Sequence, residues 1–554
     1  MPNISEGRDR ARIERIVEAA SGVEGVRVLN IDPGRDTNRT VITFVGGPEE
    51  VLEAAYRLIE RAAQLIDMTT HCGAHPRIGA TDVVPFIPVR NVTMEECVEL
   101  ARKLGARVGT ELGIPVYLYE HAATRAERRN LADVRAGEYE GLPEKVKLAD
   151  WKPDFGPSQF NARSGATVIG ARPFLIAYNV NLNTRDKKLA TAIAQVIREQ
   201  GYKKKVEGGK AGEKKKSYEV IPGRLKQCKA VGWTIEEYGC AQVSINLTDY
   251  TVTGLHDVFE ACVQEGEKLG LRITGSELVG LVPKDSLLQA GRYFVRKQKG
   301  YLGLSEERLI DVAVRSLGLA EFGSFKPAER VIEYRISEPA PLAELTVKHF
   351  VNEVGGDSVA PGGGSVAALA GALAAALGNM VSALTFQKKD LSAHRDTVLR
   401  LGEKLQVLQD SCRRYLDEDT LAFKQVITAI RAMPKDDDSS SKYKQAKAEL
   451  DRAYQYATSI PLAVARASFE TLGVLSELVK VGLGTALSDL AVGAEMAKAS
   501  LAGAVYNVRI NLPSVEDKKF VQKVEQEAGT LTAKGEELLR QVTEAVRRRM
   551  EEVK

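Results

Sequence analysis

Over the first 340 or so residues the apolar positions keep changing rhythm. Val26 to Ile31 and Thr40 to Val45 are short runs of strand character, and Pro48 to Ile66 then carries the three- and four-residue spacing of a helix. Val83 to Val89 predicts a strand, Thr93 to Leu112 a helix whose Glu residues precede its Lys and Arg, and Val116 to Tyr119 a further strand. The alternation resumes after Ala166: a strand to Asn181, a helix from Lys187, a strand over Gln242 to Leu247 and a helix from Gly254. Interleaved strands and helices predict an α/β architecture of mixed sheets covered by helices. The proline-rich, polar stretch Asp150 to Ser164 separates two such groups, which predicts subdomains over 1–165 and 166–336.

Ser337-Glu338-Pro339-Ala340-Pro341 reads as a break, with a linker over 337–343. Beyond it strand patterns almost vanish, and 344–554 predicts an all-α helical bundle. Its last helix, Gly535 to Lys554, places Leu538, Val542, Val546 and Met550 on one face. From Val366 to Phe386 there is no charge, about a membrane span in length. Its Ala and Gly content argues against a span. Val366, Leu369, Leu373, Leu377, Met380 and Leu384 recur at spacings of three and four and predict a buried helix in close contact with others. Pro434 to Ser441 predicts a mobile loop, and the Lys-rich insert 203–216 a solvated one.

The 554 residues carry 77 Lys+Arg against 74 Asp+Glu, a near balance that gives no support to a nucleic-acid binder. Six cysteines without a C-x-x-C pair are no disulfide framework and suit a reducing cytoplasm. Glu6, Arg8, Asp9 and Arg10 leave the first residues without the apolar core of a signal peptide.

Chemistry concentrates in a few loops. His71 to Asp82 holds two of the six histidines in a Gly- and Pro-punctuated segment before a strand. His75 would exchange protons near neutrality; a purely structural His75 is the competing reading. A metal site of His71, Cys72 and His75 lacks the further ligands that a tetrahedral set needs. Asp32 closes a strand, where it would orient or charge-stabilise an imidazole, and Arg39 and Arg77 suit forked pairing with carboxylates. The non-helical segment Gly156, Pro157, Ser158, Gln159, Phe160, Asn161, Ala162, Arg163, Ser164 and Gly165 suits a flat heterocycle. Gly362, Gly363, Gly364 and Ser365 lead into the Ala-rich helix and read as an anion cradle, or as a glycine turn with Ser365 as its N-cap. Asp417-Glu418-Asp419 opens the helical run Thr420 to Met433: clustered carboxylates raise one another's pKa, and N-terminal capping acidity is the competing reading.

Taken in order, several of these blocks carry a resemblance. Pro2 to Gly7, Thr37 to Thr40, His75 to Ala80, Asp82 to Val89, Arg135 to Glu140 and Asp154 to Pro157 resemble glutamate formiminotransferase. Ala360 to Ser365 and Tyr506 to Leu512 resemble formiminotetrahydrofolate cyclodeaminase. The order is that of the bifunctional formimidoyltransferase-cyclodeaminase family. The resemblance implies transfer of a formimino group from N-formimino-L-glutamate to N5 of tetrahydrofolate, then cyclisation to 5,10-methenyltetrahydrofolate with loss of ammonia. It implies His75 as the transferase acid/base, Asp32 as its electrostatic partner, Gly156 to Gly165 as the folate-binding segment and Asp419 as the cyclodeaminase acid. The cradle at Gly362 to Ser365 would then receive folate carboxylates. It further implies tetrahydrofolate, polyglutamylated, as co-substrate, no metal, no nucleic acid or membrane partner, and a cytoplasmic homo-oligomer. Alternatives are a methenyltetrahydrofolate cyclohydrolase in the second half, or a folate-binding assembly protein with an inactive transferase half. Two departures stand out. Met1 abuts Pro2, where the family carries residues of a first strand, so the expectation is that the strand is missing or the start is misassigned. The Lys-rich insert 203–216 replaces a compact connection.

Overall fold

The computed structural model describes residues 1–89, 91–206, 217–235, 238–336, 342–434 and 441–552. The chain divides into two compact units, one of residues 1–291 and 313–337, the other of residues 292–312 and 338–554.

Among the described residues the first unit contains two main sheets. Strands β1 (Asn3–Ile4), β2 (Arg27–Gly34), β3 (Arg39–Val45), β4 (Thr81–Phe86), β5 (Val116–Glu120) and β6 (Thr167–Ala171) form a six-stranded mixed sheet in the order β2-β3-β1-β4-β6-β5. The first strand, expected to be missing, is present with two residues, antiparallel to both β3 and β4. Helices α1 (Arg10–Ser21), α2 (Pro48–Leu65) and α3 (Met94–Glu111) cover one face, where Ile4, Ile42, Val84 and Leu118 meet Leu58, Ile59 and Leu104. The start of α3 is set by Thr93, whose hydroxyl accepts the Glu96 N–H while Glu96 accepts the Thr93 N–H. Strand alternation turns Asn3, Val41, Val83 and Tyr119 to the opposite face, where they line a cleft. Helices α4 (Leu131–Arg135) and α5 (Glu138–Lys145) flank its edge.

The second sheet uses β7 (Ile176–Leu182). After it come the hairpin strands β8 (Tyr202–Val206) and β9 (Ser217–Ile221), then β10 (Cys228–Ile235), β11 (Cys240–Leu247) and β12 (Ile273–Val279). It is antiparallel in the order β10-β11-β7-β12, with helices α6 (Lys187–Ile197) and α7 (Leu255–Lys268). The single strand expected from Ala166 to Asn181 is two strands in two sheets. Pro173 has no N–H to give a ladder, and the chain leaves the first sheet there. The passage between sheets therefore lies at 172–175, later than the 165/166 division. Lys203 to Val206 is strand rather than loop, paired with Ser217–Val220; the rest of the Lys-rich insert, 207–216, lies outside the described residues.

Helices α8 (Lys284–Lys297) and α9 (Glu306–Leu317) each run across the division between the units, and the short α10 (Pro327–Arg330) and α11 (Ile332–Ile336) end the first. The second unit is built on α12 (Val347–Val354), α13 (Gly363–Phe386), α14 (Arg395–Ala432), α15 (Ser441–Val481), α16 (Leu487–Asn511) and α17 (Lys518–Glu552). Residues 292–312 join it through buried polar contacts: the Tyr301 hydroxyl bonds Asn379, whose amide donates to Gly303 O at 3.0 Å and Gln406 Oε1 at 2.8 Å. Of the loop expected over Pro434 to Ser441, 435–440 lie outside the described residues, and Ser441 already belongs to α15.

Two expectations invert here. Helix α13 is apolar and long enough for a membrane span, yet half of its most apolar stretch is buried within the bundle. The buried face is the small one: Ala368, Gly371, Ala375, Gly378 and Ser382. Val366, Leu373, Met380 and Leu384 point outward, 38–47% exposed. Small residues let neighbouring backbones approach, so they and not the large side chains take the core. The acidic triplet does not open a helix either: α14 runs unbroken through residues 417–419, which removes the N-terminal capping reading.

Candidate active sites

A cleft of about 1260 Å3 lies on the face of the first sheet away from α1 to α3, beside α4, with one end of the second sheet opposite. Asp32, Arg39 and His75 all line it. The His75 loop is held by its own backbone: Ala80 N donates to Ser164 O at 2.8 Å and Ala166 N to Ile78 O at 3.0 Å. Ile78 N donates to the buried Asp82 carboxylate at 3.0 Å, and Arg135 of α4 closes an ion pair on the same carboxylate. Nδ1 of His75 lies 2.7 Å from Pro76 O. A carbonyl only accepts, so this contact assigns the proton to Nδ1 and leaves Nε2 as a lone pair. Burial, with Arg39 and Arg135 nearby, lowers His75 to about 4, only partly opposed by Asp82. The imidazole is thus a neutral base at neutral pH, not a group half-titrated there.

The carboxylate acting on His75 is Asp82. Asp32 is exposed, and both it and Asp82 act on Arg39. Asp82 and Arg135 are the functional residues that the sequence reading missed. Both stood in motif blocks, and a carboxylate within an otherwise apolar strand was the available signal. Arg39 bonds Asn3, and burial lowers it to about 10. Its Nε is buried without a partner among the described residues. Arg77 does not face the cleft. Its fork takes Glu140 at 2.8 and 2.7 Å and Glu138 at 3.2 Å, tying α5 to the loop. His71 uses both nitrogens, Nε2 towards Asn38 O at 2.9 Å and Nδ1 accepting from Arg77 at 3.2 Å, so neither is left for a metal.

Gly156 to Gly165 packs against the His75 loop, outside the residues that line the cleft. Gly156 packs on Gly109 and Ile114, Gly165 on Ile78 and Gly79, and a Cβ at either would meet backbone. Both hold positive φ, +81° and +67°, which glycine adopts without strain. Phe160 packs on Tyr139 with ring centroids 5.5 Å apart, and Asn161 caps the turn by accepting Ser164 N at 3.0 Å. The segment fixes where His75 sits.

In the helical unit, Gly362 is the N-cap of α13, so Ser365 is not. The buried Ser365 hydroxyl donates to Leu416 O at 2.9 Å and lies 3.4 Å from Asp419 Oδ2. Asp419 also accepts the Ser365 backbone N–H. The cradle therefore holds the protein's own carboxylate rather than standing open for a substrate's. A Cβ on Gly364 would overlap that carboxylate, and Asn507 of α16 borders Gly363. Burial raises Asp419 above the usual carboxylate range despite these bonds. Asp417 turns away from this spot and accepts Leu342 N and Ala343 N.

Comparisons with known proteins bear on both sites. Three family models match, described as the formiminotransferase domain, N-terminal subdomain over 1–172, the formiminotransferase domain over 177–337 and formiminotransferase-cyclodeaminase over 346–530. A formimidoyltransferase-cyclodeaminase of Dictyostelium discoideum is 41% identical over 555 residues, covering 100% of this chain and 99% of the relative. One from Sus scrofa is 42% identical, covering 96% and 95%. A glutamate formimidoyltransferase of Thermoplasma acidophilum is 43% identical over 298 residues, 53% of this chain and 91% of the relative.

Proposed function

The chain belongs to the formimidoyltransferase-cyclodeaminase family, and on that premise we propose how its residues divide the work. It transfers the formimino group of N-formimino-L-glutamate to N5 of tetrahydrofolate, releasing glutamate. It then cyclises 5-formimino-tetrahydrofolate to 5,10-methenyltetrahydrofolate with release of ammonia.

In the cleft, N5 attacks the amidine carbon while Nε2 of His75 takes the N5 proton. The tetrahedral intermediate collapses as the imidazolium returns that proton to the departing glutamate nitrogen. The free Nε2 lone pair of a neutral His75 carries this reading. Asp82 and Arg135 hold the loop and its charge balance. In the helical unit, N10 attacks the protonated formimino carbon; Asp419 takes the N10 proton and delivers it to the formimino nitrogen, whose C–N bond breaks to release ammonia and leave the methenyl cation. The raised proton affinity of Asp419 supports the acid part.

The test is a coupled assay on the whole chain with formiminoglutamate and tetrahydrofolate. Methenyltetrahydrofolate absorbance with stoichiometric ammonia is expected; folate binding without turnover would overturn the reading. The preferred folate is the polyglutamylated form, because two sites on one chain gain from a tethered intermediate. Polyglutamate should leave less free formimino-folate than monoglutamate, and equal accumulation would count against tethering. The outward apolar positions of α13 support a homo-oligomer, and the six free thiols support a cytoplasmic setting. Cell fractionation that places the protein outside the cytoplasm would overturn the latter.

A further inference from the structure

One wall of the transferase cleft has donors that the steps above do not use. Tyr119 of β5 lines the cleft and is 1% exposed. It stands in register with Gly170 of β6, which pairs in turn with Pro85 of β4. A Cβ on Gly170 would run into the Tyr119 ring, so the missing side chain lets the phenol lie across β6 towards the cleft. The Tyr119 hydroxyl meets no acceptor among the described residues. A buried phenol whose O–H donates to nothing is rare and costs stability. Beside it stands Arg172, just past the end of β6, which also lines the cleft. Its guanidinium donates to Pro173 O at 3.0 Å and has no carboxylate within ion-pair distance among the described residues.

The opposite wall is ordered too. Lys229, Asn246, Ala177 and Val279 are mutual partners across β10, β11, β7 and β12, so one row of the second sheet lines the cleft. The row is polar at the Lys229 and Asn246 end and apolar at the other.

We propose that Tyr119 and Arg172 form a carboxylate subsite, the phenol and the guanidinium each donating a hydrogen bond to one carboxylate of a glutamyl group. The inference rests on the cleft being the transferase site. Both substrates carry such a group, the formimino donor and the folate tail. Neutral phenol is the form that donates, and burial keeps Tyr119 in it. These are positioning residues: they hold substrate and do not exchange its protons.

The experiment uses the full chain with Tyr119→Phe, Arg172→Gln and Arg172→Lys, and takes KM for formiminoglutamate and for tetrahydrofolate separately. Loss of a hydrogen bond to a charged group predicts a KM about ten- to a hundred-fold higher for one substrate, with kcat changed far less. A rise confined to formiminoglutamate, with weaker product inhibition by L-glutamate, assigns the subsite to the donor. A rise confined to tetrahydrofolate assigns it to the folate tail. Lys at 172 should restore part of the loss through its charge. Unchanged KM values for both substrates, or a fall in kcat alone, would overturn the subsite. Cyclodeamination of supplied 5-formimino-tetrahydrofolate should persist in all three variants and reports that the chain is folded. His75→Ala separates the premise from the subsite: it should lower kcat. Full transfer activity in His75→Ala would remove the premise itself.

Discussion

At His75 and Asp419 the same physical cause, burial, sets opposite chemistry. Burial disfavours the charged form of both groups: it lowers the proton affinity of the imidazole and raises that of the carboxylate. The acid limb of transferase kcat/KM should therefore lie near pH 4, where His75 protonates, and a limb near pH 6.5 would refute this. The unfolded chain binds the His75 proton below about 6.5, the folded one only below about 4. Stability therefore falls as pH drops through that window. For Asp419 the sign reverses: cyclodeaminase activity should fade as pH rises through its raised value. His75→Ala should reduce transfer by about 100- to 10,000-fold while leaving cyclodeamination intact. Gly364→Ala should damage cyclodeamination alone, because a Cβ there displaces the Asp419 carboxylate; equal loss of both activities would contradict it.

Single elements matter where they carry a constraint across the sheet. Arg128, 1% exposed, pairs with Asp154 at 2.7 Å and also donates to Asp150 O and Lys152 O. It thereby anchors the segment that runs on to Gly156 and the back of the His75 loop. Arg128→Ala leaves a nearly buried carboxylate unpaired, at a cost of about 3–5 kcal/mol. A lower melting temperature together with lower transferase activity is expected. If the outward face of α13 joins copies of the chain, as proposed, Leu373→Glu with Met380→Glu should lower the mass seen by light scattering, since both side chains face outward. An unchanged mass would overturn that role for α13.

At the scale of the whole chain, the compact units do not follow the sequence break. Residues 292–312 precede the Pro-rich linker yet pack with the helical bundle, where Tyr301 reaches Asn379. A fragment beginning at Glu338 should melt well below one beginning at Arg292, because it strips the buried Asn379 of its bonds to Tyr301 and Gly303. Equal melting would show those contacts to be dispensable. The patterning made most elements and the α/β-to-α change of texture legible, since period two and period 3.6 are local properties. It did not show that one apparent strand serves two sheets, because that depends on which neighbours each half finds.

By itself the sequence determined the fold class, the loops where chemistry gathers and, through several motifs in fixed order, the family. Glycine-bounded loops and amphipathic periods are written in neighbouring residues and need no distant partner. Tertiary structure alone decided which partners the groups within those motifs find. It paired Arg77 with Glu140, buried the Asp82 carboxylate behind the His75 loop and set the Asp419 carboxylate beside Gly364 and Ser365. It also turned the small face of α13 inward. Each of these is settled by burial and by partners distant in sequence, and the free energies of charge and packing depend on that environment far more than on residue type.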